Sequence, residues 1–266
     1  MTRVNNGAIS AYIINNMISA LNVSASCAPY EDAGMENVQG SYRYLSYSSY
    51  PMFNGVISDK SIEKNPHQHF VDTTEFFSSK NVPFIWWWVQ ANPIPENVKT
   101  ELERFNLQSL GTFLGVALKL DNLKSVENTT VIKEVTTEAE YQIFIDIVSQ
   151  IFELNEAAKN DFTVLFGAYG HNGVCKHYLA YQEGQSASAV TAYVEDNVVG
   201  IYNCATLPQF QKHGLCTALI YNAVQEAKLK NCKYAIAQLM TTAMAKGLME
   251  KMGFNVYCEI FPYSGG

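Results

Sequence analysis

The succession of strands and helices encoded by residues 126–266 restricts the possible folds more than any other feature of the sequence. β-Branched residues predict a strand over 130–135, and Thr137 with Glu140 forms a capping box before a helix, which a second helix over 155–166 follows. Three strands in hairpin order come next, over 177–181, 187–194 and 198–207, and Gly214 then opens a helix with apolar residues at every fourth position. A strand over 234–239, a helix over 243–252 and a last strand after Gly253 complete the order β-α-α-β-β-β-α-β-α-β. This order predicts an α+β fold with a mixed, largely antiparallel sheet flanked by helices.

The first half is less regular but ends in a similar order. Its apolar residues Ile9, Ile13, Met17 and Leu21 recur at helical spacing, which favours an amphipathic first helix over a signal peptide. Strands are predicted over 55–58, 83–89 and 113–120, with helices over 70–79 and 96–105. The resulting β-α-β-α-β order also closes the second half, so the chain is expected to repeat one topology. A polar stretch over 121–129 predicts two domains, 1–125 and 126–266.

Composition removes several classes of function. The formal net charge is −7 and no stretch gathers basic residues, so we expect no nucleic-acid binding, although an acidic protein suits a cationic amine. The six cysteines are scattered, without C-x-x-C or histidines at metal-ligand spacing, which predicts free thiols in a reducing compartment and no metal. No apolar run has the length of a membrane span, so a cytoplasmic location without membrane attachment is expected.

The segment from Thr206 to Leu219 carries the clearest functional signal. A predicted strand ends, Pro208 turns the chain, and a short loop leads directly into a helix. Such a loop directs successive backbone N–H groups outward, and together with the positive end of the helix dipole they can hold a pyrophosphate. Gly214 leaves the backbone free to approach a phosphate, and the small side chains of Cys216 and Thr217 leave the amides accessible.

This segment resembles the acetyl-CoA-binding motif of the GNAT superfamily, Q/R-x-x-G-x-G/A, as Gln211-x-x-Gly214-x-Cys216. Cys216 departs from the usual Gly or Ala. About forty residues later, Met249 to Phe254 is similar to the Y-x-x-x-G-F ending of these domains, and three strands precede the loop as the GNAT fold requires. The resemblance covers about 140 residues. Three further segments and the length resemble bacterial proteins with a degenerate GNAT-like half before a complete one: residues 86–88, 200–202 and 206–208.

The resemblance implies roles for individual residues. The strand near Tyr202 should separate from its neighbour and bind the pantetheine arm through backbone groups, including Ala205 and Thr206. An amide of Cys204 or Ala205 would stabilise the oxyanion. The expected cofactor-binding residues of the loop and the last helix are Gln211, Lys212, His213, Gly214, Leu215, Cys216, Thr217, Thr242 and Met249.

Proton transfer is less well provided for in this sequence. The family often places a Tyr four residues before the Gly of its G-F pair, and here Met249 occupies that position. Tyr202, Asn203 or a water molecule would then have to move the proton. The first half has no counterpart of the phosphate loop, so it is expected to have lost the cofactor.

Other residues have plainer interpretations. His213 is interpreted as a solvated cation near phosphate rather than a base, and Cys216 as a small residue rather than a nucleophile. The three tryptophans at 86–88 favour a strand buried on both sides over a stacking platform, and His67 and His69 in a polar loop lack further ligands for a metal.

The sequence thus favours an N-acetyltransferase that transfers an acetyl group from acetyl-CoA to a small-molecule or peptide amine by direct attack. The alternatives are a CoA-binding module with weak or lost activity, for which Met249 is the argument, and transfer of an acyl chain other than acetyl.

Overall fold

The computed structural model describes residues 1, 6–89, 94–125, 129–171 and 175–265. The predicted domain boundary falls partly on residues 126–128, which lie outside this range, and the division of the chain at 125 stays a prediction.

The described chain contains seven α-helices and twelve strands. The helices are α1 (Gly7–Ala25), α2 (Pro66–Ser79), α3 (Glu96–Arg104), α4 (Glu138–Ile151), α5 (Glu156–His171), α6 (Leu215–Leu229) and α7 (Ala243–Met252). The strands of the first half are β1 (Gly34–Val38), β2 (Ser41–Leu45), β3 (Gly55–Ser58), β4 (Ile85–Trp88), β5 (Leu107–Ser109) and β6 (Phe113–Lys119). Those of the second half are β7 (Val131–Glu134), β8 (Cys175–Gln182), β9 (Gln185–Glu195), β10 (Val198–Thr206), β11 (Tyr234–Met240) and β12 (Asn255–Gly265). None of the described helices is both long and apolar enough to cross a membrane.

The strands form one continuous, largely antiparallel sheet. Their order is β1-β2-β3-β4-β12-β6-β11-β10-β9-β8-β7, and β5 pairs with β12 outside this path. Among the described strands, two pairs are parallel, β3 with β4 and β10 with β11. A helix joins each pair, α2 the first and α6 the second. The α+β class and the element order of the second half are confirmed.

The last strands of the two halves are exchanged. β6 ends the first half, yet it lies against β11 of the second half along Phe113–Lys119. β12 ends the second half, and its outer part pairs with β4 of the first half, Phe261 opposite Trp88. β6 and β12 also pair with each other. The two halves therefore share backbone hydrogen bonds throughout the centre of the sheet.

The helices divide between the two faces of the sheet. α6 and α7 pack on one face through a core cluster that contains Leu219, Val224 and Met252. α4 and α5 pack on the other face through Phe144 and Phe162, and α1 lies on that same face through Ile9 and Ile13. Met17 and Leu21 of the predicted apolar stripe pack instead in the cluster that contains Tyr44 and Trp87, so α1 is buried against strands of both halves.

The tryptophan-rich strand has the predicted two-sided burial. Trp87 belongs to the core cluster under α1, whereas Trp86 and Trp88 belong to the cluster under α2 and α3. The expectation that His67 and His69 lie in a loop is wrong. Pro66 begins α2, because its fixed φ suits the first helical position, and both histidines therefore lie in the first turn. His69 is buried between Ser41, Ser58 and Trp86.

Candidate active site at the fork between β10 and β11

The site is built where β10 and β11 separate. Their parallel pairing joins Val198 to Tyr234 and ends at Gly200 and Ile236, although both strands continue, β10 to Thr206 and β11 to Met240. One edge of β10 is therefore released from β11 over its last residues. The parallel pair of the first half differs, because β3 and β4 are paired over their whole described lengths, from Gly55 and Ile85 to Ser58 and Trp88.

The predicted phosphate loop follows β10 directly. A 3₁₀ turn over Pro208–Phe210 reverses the chain, and the side-chain amide of Gln211 donates to the carbonyl of Thr206 at 3.3 Å, which ties the loop to the end of the strand. Lys212 and Gly214 have positive φ values, 68° and 79°. Gly214 is the N-cap of α6, and its conformation is the reason for a glycine there.

The loop and the first turn of α6 present free backbone donors. Among the hydrogen bonds of the described residues, none involves the amides of residues 212–217. The first amides of a helix have no partner within the helix, and the helix dipole adds positive potential at the same place. Lys212 and His213 are exposed beside these amides. This arrangement suits a diphosphate.

A β-bulge interrupts β10 at the open end of the fork. Tyr202 pairs with Thr191 and Ala205 with Ala189, so two residues of β10, Asn203 and Cys204, lie opposite one residue of β9. Asn203 has a φ of 52°, a left-handed conformation that Asn tolerates better than most residues. Beyond the bulge, the carbonyl of Ala205 accepts a bond from the buried Ser188 hydroxyl at 2.7 Å.

The side chain of Tyr202 faces α1. Its hydroxyl donates to Oδ1 of Asn16 at 2.7 Å, and burial raises its pKa far above the ordinary value. Asn16 is itself buried, and its Nδ2 has no hydrogen-bond partner among the described residues. Tyr202 therefore donates its hydroxyl proton to Asn16. A role of Tyr202 as acid or base stays a prediction.

Cys204 and Cys216 meet on the opposite face of the fork. The thiol of Cys204 hydrogen-bonds to the sulfur of Cys216, and this bond and burial raise the pKa of Cys204 well above its usual value. Leu215 is buried and Thr217 half-buried in the first turn of α6.

The two residues predicted from the last helix have structural partners. Thr242 caps α7, since its hydroxyl accepts from the Ala245 amide at 3.2 Å. Met249 is 6% exposed and packs in the core cluster that Cys204 and Cys216 also contact. Cofactor contacts for both residues stay predictions.

Sequence reasoning missed the side chains behind the fork. His177, Thr191, Ser188 and Asn16 are all buried, and they come from β8, β9 and α1. Polar residues at buried positions of apolar strands were the available signal, because such groups must find partners. No group of three or more His, Cys, Asp or Glu residues in the described part of the chain is arranged to hold a metal ion.

Comparison with known proteins identifies this architecture. Residues 141–254 match the sequence model of the acetyltransferase (GNAT) family. The C-terminal half is a GNAT domain. No curated protein matches the sequence.

Solved structures extend the likeness to the whole length. A GCN5-related N-acetyltransferase from Kribbella flavida is 12% identical, with a TM-score of 0.69 over 94% of each chain. A functionally unknown protein from Staphylococcus epidermidis is 14% identical, with a TM-score of 0.68 over 89% of this chain and 95% of that one. A tandem GNAT protein from the clavulanic acid biosynthesis pathway is 10% identical, with a TM-score of 0.56 over 96% and 95%. At these identities the likeness shows the fold alone, a tandem GNAT-like fold over the full length.

Proposed function

We propose that the protein transfers an acetyl group from acetyl-CoA to an amine of a small molecule or peptide. The observation that carries this proposal is the cluster of free amides at residues 212–217, at the N-terminus of α6, beside the open edge of β10. The amides would hold the pyrophosphate, and the edge of β10 would bind the pantetheine arm. Membership of an acetyltransferase family supports the same reaction.

The chemistry needs no covalent enzyme intermediate. The amine nitrogen would attack the thioester carbonyl, and an amide at the bulge, from Cys204 or Ala205, would stabilise the tetrahedral oxyanion. The C–S bond would then break, the nitrogen would lose a proton, and the CoA thiolate would gain one. Thiolate is a good leaving group, so a slow proton donor lowers the rate without preventing the reaction.

A second candidate function is a CoA-binding module without efficient transfer. Burial of Met249 in the core and the bond between Tyr202 and Asn16 favour it, because neither side chain offers a proton donor to the fork. The proposed cytoplasmic location fits both candidates.

One experiment separates the two. Calorimetry with acetyl-CoA measures binding, and thiol release from acetyl-CoA over a panel of primary amines measures transfer. Binding with amine-dependent thiol release supports the enzyme, whereas binding without release supports the module. Absence of binding would refute both candidates.

A further inference from the structure

Three polar side chains, two of them buried and the third half-buried, form a hydrogen-bonded chain behind the bulge of β10. Nδ1 of His177 lies 2.8 Å from Oγ1 of Thr191, and Nδ2 of Asn203 donates to that same Oγ1 at 3.1 Å. His177 is 3% exposed and Thr191 is fully buried. This hydrogen-bonded chain therefore runs from His177 on β8 through Thr191 on β9 to Asn203 in the bulge.

The directions of these bonds are mutually consistent. Nε2 of His177 lies 3.3 Å from the carbonyl of Phe166 in α5, which can only accept, so the ring proton belongs on Nε2. Nδ1 then accepts from the Thr191 hydroxyl, whose oxygen accepts from the Asn203 amide. His177 thus orients Thr191, and Thr191 orients the side chain of Asn203.

Asn203 forms part of the bulge. It occupies the left-handed conformation, φ 52°, and it is the first of the two residues that lie opposite a single residue of β9. The bulge sets the direction of the next backbone amides, those of Cys204 and Ala205. A change in the conformation of Asn203 would therefore change the direction of these two amides, which stabilise the oxyanion under the proposed function.

We propose that His177 and Thr191 are positioning residues that hold Asn203, and through it the bulge of β10, in the shape that aims an amide at the thioester carbonyl. This role rests on the proposed function. It predicts that loss of these hydrogen bonds slows transfer but leaves most of the affinity for the cofactor intact. The amides of residues 212–217, to which the proposed function assigns the pyrophosphate, lie outside the hydrogen-bonded chain.

Thr191→Val tests the role, because valine keeps the branched shape and removes the hydroxyl. We expect kcat to fall at least about tenfold, a part of the roughly 10²–10³-fold that a whole oxyanion donor contributes. The Kd for CoA should stay within twofold. Thr191→Ser restores the hydroxyl and should recover most of kcat. The matched control is Thr74→Val, which removes a buried hydroxyl that has no partner in the described structure and should change neither quantity.

Hydrogen exchange gives a readout that does not require turnover. Thr191→Val should speed exchange of the amides of residues 203–205 about tenfold, while α6 exchanges as in the unaltered protein. If the unaltered protein acetylates no amine, the proposed function fails. Hydrogen exchange at residues 203–205 then decides by itself whether the hydrogen bonds of His177 and Thr191 hold the bulge.

Two results would overturn the positioning role: unchanged exchange at residues 203–205, or a kcat of Thr191→Val within twofold of the unaltered protein. Should Thr191→Val fail to fold, Asn203→Gly replaces it, since glycine accepts the same φ and removes only the side-chain bond. The same fall in kcat and the same faster exchange are expected, and their absence would overturn the proposal equally.

Discussion

Gly214→Asp is the sharpest test of the phosphate loop. Gly214 has a φ of 79°, and a Cβ built there meets no atom within 4 Å. The substitution therefore strains the backbone without a steric clash in the folded protein. A side chain in left-handed backbone costs roughly 1–2 kcal/mol, and less for Asp and Asn, so the variant is expected to fold.

The effect on cofactor binding should be much larger. A carboxylate at this position faces the amides of residues 212–217 and repels a diphosphate. Losing two hydrogen bonds to a charged group, each worth about 1.5–3 kcal/mol, weakens binding by about 3–6 kcal/mol, or roughly 10²–10⁴-fold in Kd.

Two controls separate charge from strain. Gly184 in the β8–β9 turn also has a φ of 79° and no atom within 4 Å of a built Cβ, so Gly184→Asp reproduces the strain and the charge away from the loop. Its Kd for acetyl-CoA should equal that of the unaltered protein. Gly214→Asn keeps the size without the charge, and its loss of affinity should be intermediate.

The assay is calorimetric titration with acetyl-CoA, with denaturant unfolding as the check on folding. A Kd of folded Gly214→Asp within threefold of the unaltered value would refute the assignment of this loop to the pyrophosphate. Equal losses of affinity for acetyl-CoA in Gly184→Asp and Gly214→Asp would show that the loss does not arise at the loop.

Three further predictions follow from single features. The protein should bind one acetyl-CoA, not two, because β10 and β11 separate at their ends whereas β3 and β4 stay paired. Calorimetry that yields two equivalent sites would contradict this. Met249→Tyr should raise kcat about tenfold at saturating acetyl-CoA if the new hydroxyl reaches the departing thiolate. The substitution should lower the free energy of unfolding by about 1–3 kcal/mol, since Met249 is buried in the core. An unchanged or lower kcat, in a folded variant with unchanged affinity for acetyl-CoA, would show that another group delivers the proton. Burial lowers the pKa of His69 from 6.5 to about 4, so the unfolded chain binds this proton first as the pH falls. The free energy of unfolding should decrease by up to about 3 kcal/mol between pH 6.5 and 4, and His69→Gln should remove that part of the pH dependence in urea unfolding.

The elements of the GNAT domain and the position of the loop could be predicted from local sequence patterns. Helical periodicity, the Thr137–Glu140 capping box and the glycine before α6 act over a few residues, so one short segment contains the whole signal. The strands β1, β2 and β5 were not predicted, because polar or charged residues interrupt each of them: Glu36 and Asn37, Arg43, and Gln108.

The pairing of the strands and the side chains that lie behind the fork became apparent only in the folded protein. Every strand offers the same backbone N–H and C=O groups to a neighbour, so the sequence of β6 does not specify β11 as its partner. Likewise, His177, Thr191 and Asn203 come from three strands, and no spacing along the chain relates them. They are brought together because buried polar groups must find partners in space, and that requirement is satisfied only when the sheet has formed.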